Sequence, residues 1–171
     1  MNLEDLRTLL DYHYWARDRL LAGVEALTAE QFTRDLGNSF GSVRDTLAHL
    51  CDAEWVWHAR WRGEAPTKFR EAARHPDLAS VRAEWADIES QVRDLMRTIG
   101  PEGVSRVYDY KLMSGAPGST PFWQMLQHVV NHGTYHRGQI TTMLRQLGVK
   151  PPQSQDMIFF YREQSAKAQS A

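Results

Sequence analysis

The chain has 171 residues, 42% of them hydrophobic and 24% charged, with a formal net charge of -1. That length carries a substantial core, and the near-neutral balance leaves no electrostatic footprint for nucleic acid or an anionic membrane. The only cysteine is Cys51, which excludes an internal disulfide. The opening MNLEDLRTLL is acidic where a secretion signal is basic, and no apolar run is long enough to span a bilayer. A single domain over 1–171, located in the cytoplasm, is expected by default.

Taken in order, the pattern predicts a first helix over residues 2–26. Leu6, Leu10, His13, Leu20, Val24 and Leu27 fall near one face, interrupted by Arg17. Asn2 can cap it, and Glu4 and Asp5 suit the positive end of its dipole. His13 is expected to pack or hydrogen-bond at the bundle surface. Thr28 can cap a short turn that follows.

Ser42 and Asp45 have capping-box-like spacing and open a second long helix. Its stripe is Val43, Leu47, Leu50, Glu54, Trp57 and Trp61. His49 lies roughly 100° from that stripe, so geometry alone makes it a flank residue. Cys51 lies about 200° from His49 and reads as a small buried hydrophobe. Glu54 interrupts the apolar stripe. A partly exposed carboxylate paired with an arginine is its ordinary reading; support for a nearby imidazole or acid–base work is the sharper one. Trp55, Trp57, Trp61 and His58 make a dense aromatic end, suited to bundle packing or a dimer interface.

Gly63, Pro66 and Pro76 mark residues 63–77 as loop. A third long helix is predicted over 78–99, capped by Asp77 and stopped by Gly100 and Pro101. Residues 104–113 read as a short extended segment, and 114–118 as a turn-rich loop bordering the next helix.

The last long helix is predicted over 120–148, with Thr120 as its cap, Pro121 at the first helical position and Gly148 ending it. Met125, Val129, His132, His136, Ile140, Met143 and Leu147 share one face. His136 lies roughly 30° from the centre of that face, His132 roughly 70° and His128 roughly 110°. His128 and His136, eight residues apart, are separated by about 12 Å along the axis and cannot share one ion. Two histidines one turn apart on a buried stripe favour metal binding over satisfied core histidines. Residues 156–163 are apolar enough to dock as a short helix, and the tail beyond 164 is expected to fray.

The run HVVNHGTYHRGQITTMLRQLG, with LAHL upstream at 47–50, closely resembles the DinB/YfiT superfamily. The resemblance implies an all-α four-helix bundle with an up-down-down-up path, here with the extended segment before the last long helix. It implies a homodimer and one divalent metal ion per chain, held by His49, His132 and His136. Zinc or nickel leads; iron and copper also suit imidazoles. His13, His128 and Cys51 are expected outside that set, and Gln139 is the polar neighbour expected to orient a bound water. Arg137 is expected to face an acidic partner or solvent.

Three imidazoles leave room at a metal, as catalytic sites do. The family includes transferases using a low-molecular-weight thiol, isomerases and hydrolases. The leading expectation is a thiol transferase acting on a small molecule; a metal-dependent hydrolase or a non-catalytic stress-associated metal-binding protein are the alternatives. Arg60 and Arg137 are the candidates for a thiol's carboxylates, and surface ion pairing explains both as well.

Overall fold

The computed structural model describes residues 1–170. Six helices and one hairpin form: α1 (Leu3–Val24), α2 (Ala29–Thr33), α3 (Val43–Trp61), α4 (Leu78–Thr98), β1 (Val107–Lys111), β2 (Pro117–Pro121), α5 (Phe122–Gln146) and α6 (Met157–Gln169). Most helix ends follow the capping chemistry. Asn2 and Asp5, and Thr28 and Gln31, close reciprocal capping boxes. The Ser42 and Asp77 side chains accept from the backbones of Asp45 and Ser80. At the end of α5, Gly148 has φ +74°, which an L side chain adopts only under strain. Gly148 N–H donates to the Arg145 carbonyl and Val149 N–H to the Leu144 carbonyl, a complete Schellman turn.

The start of α5 differs from the sequence expectation. Thr120 lies in β2, paired with Tyr108, and Pro121 precedes the first helical residue, Phe122. Cross-strand pairing took the residue that would otherwise have capped. The Phe122 N–H, which a capping side chain would have satisfied, donates to the Arg106 carbonyl. The tail also differs: α6 stays helical to Gln169.

The four long helices close a ring in the order α1, α5, α3, α4. Side-chain pairs fix their directions. Glu25 pairs with Arg82, Arg17 with Glu89 and Asp11 with Arg93, so α1 and α4 run antiparallel. Thr46 meets Met143, Trp57 meets His128 and Trp61 meets Phe122, so α3 and α5 run antiparallel. Gly23 lies against Pro152 and Gln31 donates to the Leu147 carbonyl, which puts the ends of α1 and α5 together. The path is therefore up-down-down-up, and helices consecutive along the chain can sit diagonally across the bundle.

The core fills the ring with Leu6, Leu20, Leu47, Trp85, Phe122, Leu126 and Ile140, among others. Truncating any one of these to alanine is worth about 2–5 kcal/mol. Cys51 is among them, fully buried, and burial pushes its thiol well above the usual range. A smaller cluster seats α6: Phe160 packs on Tyr12, Ala16 and Val130. The tryptophans of α3 are not exposed. Trp61 is buried, and Trp55 and Trp57 are half-buried under Arg70 and Arg60. No helix among the described residues is long and apolar enough to cross a membrane.

Candidate metal centre

The antiparallel register of α3 and α5 brings His49 opposite His132 and His136. The Nε2 atom of His132 lies 3.1 Å from Nε2 of His49 and 3.1 Å from Nε2 of His136. One nitrogen from each of the three rings lies within 4.8 Å of the others. Two metal–nitrogen bonds of about 2.0–2.1 Å at a tetrahedral angle separate their nitrogens by about 3.3 Å, so the spacing fits one ion.

The electrostatics point the same way. Burial, with His136 beside it, lowers the His49 pKa to about 4. Burial and the neighbouring His136 and His49 lower that of His132 to about 3. Burial lowers His136 too, opposed by its bond to Gln139. All three rings are therefore neutral near pH 7. His136 Nδ1 donates to Gln139 Oε1 at 2.7 Å, which leaves the Nε2 lone pair facing the cluster. With the proton of each ring on Nδ1, as Gln139 holds it on His136, the three converging Nε2 lone pairs form a donor set for a cation.

Gln139 thus sits one step from the place expected for it. Its oxygen is spent on fixing the His136 ring.

Two aromatic residues from loops wall the cluster. Phe40 stacks on the His49 ring, centroids 4.1 Å apart, and meets the His136 ring edge-on at 5.4 Å. Phe69 meets His49 edge-on at 5.2 Å. The loop carrying Phe69 is pinned by Asp52, whose carboxylate accepts from the Arg70 backbone and from the side chains of Arg70 and Arg74. Tyr135, 65% exposed, stands beside His136 at the mouth. Neither phenylalanine carries a sequence signal beyond being apolar in a polar loop. The only hint is Gly41, whose φ of +68° turns the chain straight after Phe40.

The remaining candidates lie elsewhere. His128 is exposed and packs its ring on Trp57. Glu54 is not a surface carboxylate; it is 4% exposed and pairs with no arginine. Oε1 accepts from His13 Nε2 at 2.6 Å and Trp85 Nε1 at 2.7 Å, and Oε2 accepts from the Tyr14 hydroxyl at 3.2 Å. Burial pushes the Glu54 pKa up, but the His13 contact, the Trp85 N–H and the Arg17 charge outweigh it and hold the group below its usual value.

His13 is buried as well, at 1% exposure, not at the bundle surface. With Nε2 donating to Glu54, its Nδ1 is free to accept from Arg137 at 3.4 Å. The His13 ring lies against Gly133, where an added Cβ would stand 2.6 Å from the ring. Arg137 is correspondingly buried, 3% exposed, and pairs with no acid among the described residues; burial lowers its pKa. Arg60 is buried too, its guanidinium over the rings of Trp57 and Tyr110, and makes no surface ion pair among the described residues.

Comparison with known proteins fits this arrangement. Protein DinB of Bacillus subtilis strain 168 is 25% identical over 169 residues, covering 94% of this chain and 96% of its own. The uncharacterized protein YizA of the same organism is 20% identical over 82% of this chain and 87% of its own. Among solved structures, a DinB-like protein from Bacillus cereus ATCC 10987 superposes with a TM-score of 0.67 at 17% identity, over 85% of this chain and 95% of that one. YfiT from Bacillus subtilis, described as a probable metal-dependent hydrolase with an unusual four-helix bundle topology, superposes with a TM-score of 0.71 at 16% identity, over 88% and 91%. Both superpositions are of the same fold. Residues 1–166 match the DinB family, and the chain belongs to it.

Proposed function

We propose that the chain is a metal-dependent enzyme acting on a small molecule, with hydrolysis the reaction its site supports best. The observation that carries this is the meeting of three neutral imidazole nitrogens, His132 Nε2 lying 3.1 Å from each of the other two. His49, His132 and His136 are the ligands in this reading, and among the described residues no His, Cys, Asp or Glu joins them as a fourth. When bound, a divalent ion with an open position polarises a carbonyl and lowers the pKa of a water molecule it takes up.

The chain's own residues do the rest. Gln139 holds the His136 tautomer. Phe40 covers the flat face of His49 and keeps solvent off it. Phe69 and Tyr135 line the approach with aromatic surface, which suits an apolar acyl group. The description of YfiT as a probable metal-dependent hydrolase supports the same reading.

Thiol transfer becomes the second reading, and one residue favours it. Arg60 is buried without an ion-pair partner among the described residues, and Trp57 links it to His128 and so to His132. It stands about 16 Å along α3 from His49, so only a long anionic thiol cofactor would reach both. Arg70, nearer to His49, is spent on the Asp52 carboxylate, which is why hydrolysis leads.

The test is a panel of esters and amides, run beside a thiol-conjugation assay, on protein loaded with zinc, nickel or iron and on chelated protein. Metal-dependent release of acid supports the hydrolase. Thiol adducts alone support the transferase, and no turnover in either supports the non-catalytic reading. We also propose a homodimer, read from the family resemblance; one chain's mass in light scattering would remove it.

A further inference from the structure

A well-formed cavity lies away from the histidine cluster. It is a groove of about 850 Å³ between α1, the outer face of α5 and residues 151–157. That volume falls within the range of small-molecule sites. The helix places it on the far side of α5: Thr134, Arg137, Thr141 and Arg145 line it, whereas His132 and His136 point toward α3. It is therefore not a wing of the candidate metal centre, and its ligand is independent of whatever chemistry that centre performs.

Charge decides what the groove suits. Arg137 is 3% exposed, and no carboxylate lies within ion-pairing distance of it among the described residues. One terminal nitrogen donates to Thr134 Oγ1 at 2.8 Å, with the Tyr12 hydroxyl at 3.5 Å. The other faces His13 Nδ1, and Nε–H has no partner. A buried donor without an acceptor costs about 1–3 kcal/mol, which an arriving acceptor recovers. Glu54 lies behind the His13 ring and makes no direct contact.

The hydroxyls nearby do not compete for an anion. Thr134 already donates to the Val130 carbonyl and Tyr12 to the Gln155 carbonyl. Arg145, two turns further along α5, is exposed and makes no ion pair among the described residues. Asp156 is the one acid in the lining, so the charged groups there sum to +1. The walls are apolar, from Leu9, Val130, Pro151, Pro152 and Met157. At Gly138 the floor is open: a Cβ there would meet nothing within 4 Å.

We propose that this groove binds a small organic monoanion, a carboxylate on an apolar body, with Arg137 as its anchor and Arg145 at the rim. A guanidinium matches the planar carboxylate, the apolar walls take the body, and a single charge balances the lining. Inorganic phosphate fits poorly, since it is largely doubly charged and brings nothing for the apolar walls.

The test titrates hexanoate into the full chain, followed by calorimetry or ligand-observed NMR, with hexanamide and inorganic phosphate as comparisons. Hexanoate is expected to bind at least tenfold more tightly than either. Gly138→Leu fills the open floor without touching Arg137; it should weaken hexanoate binding at least tenfold while metal stoichiometry stays at the wild-type level. Arg137→Lys should weaken it by a similar factor, and Arg145→Ala by two- to threefold. The proposal is overturned if hexanoate does not bind, if hexanamide binds as well, or if Gly138→Leu binds as wild type does. It is also overturned if a chelator removes the binding, because the carboxylate would then be sitting on the metal centre. Unchanged binding in chelated protein supports it.

Discussion

Two polar insertions interrupt the apolar interior, and both contain histidine. Between α3 and α5, His49, His132 and His136 turn their Nε2 nitrogens toward one another with no counter-charge between them. Across the bundle, His13 sits in a knot with Glu54, Trp85, Tyr14 and Arg137, and each ring nitrogen of His13 has a partner of the right kind. The first arrangement offers a site to a cation. In the second, the His13 imidazole and the Glu54 carboxylate are matched to partners within the protein. Burial of histidine is common to both, so burial does not mark a ligand site; unmatched hydrogen-bonding polarity does.

That contrast breaks first at His132, which lies between the other two imidazoles. Its replacement by Ala should abolish metal binding at micromolar protein, and His49→Ala should cost more than about 100-fold in affinity, since even an outer partner of a ligand is worth 10–100-fold. His128→Ala should leave the stoichiometry near one. Elemental analysis of tag-free protein reads all three; full metal in His49→Ala with loss in His128→Ala would reverse the assignment.

The sealed knot should respond in stability instead. Glu54→Ala strands His13 and two other donors and should cost about 3–5 kcal/mol in denaturant unfolding. Metal content of the folded fraction should stay unchanged. If Glu54→Ala strips the metal while the fold holds, the two regions are one functional unit and the distinction fails.

A smaller effect sharpens the comparison at its boundary. Gln139→Leu removes the acceptor that orients His136, and metal affinity should fall about tenfold, with a competing chelator as the readout. The smallest effect is in pH. The folded-state pKa values of His49 and His132, about 4 and about 3, lie below the ordinary 6.5. At these two ligands protons do not compete with the metal until the pH approaches 4; His136, lowered by burial against its bond to Gln139, follows in the same direction, so affinity should change little between pH 8 and pH 7. The same depression means that metal-free protein keeps the stability from these neutral rings above pH 6.5 and loses it as the pH falls toward 4. A steep loss of affinity between pH 8 and pH 6 would show that the rings titrate normally.

Much of this was legible in the sequence, for reasons that can be named. Position on α5 ordered its histidines correctly: His136 is buried, His132 half-buried and His128 exposed, following their angles from the apolar centre. The caps at Asn2, Thr28, Ser42 and Asp77 were legible because they act within one turn. Misreadings arose where a partner lies on another element. Glu54 and Arg137 looked like surface charges because nothing in α3 or α5 announces His13 on α1. Thr120 looked like a cap because its pairing with Tyr108 depends on the hairpin. Phe40 and Phe69 were invisible as walls because loops deliver them.

The spacing of the three clustered histidines along the chain has a consequence for assembly. His132 and His136 are four residues apart, whereas His49 and His132 are 83 apart. If the cluster holds an ion as proposed, a helical segment of α5 alone would offer a weak two-nitrogen site before the bundle exists. The third nitrogen arrives only when a long loop closes, an entropic cost that grows slowly with loop length. Metal affinity would then rise in two steps as the chain folds, and a bound ion would favour the completed bundle over its parts and tie α3 to α5 as a long-range cross-link would.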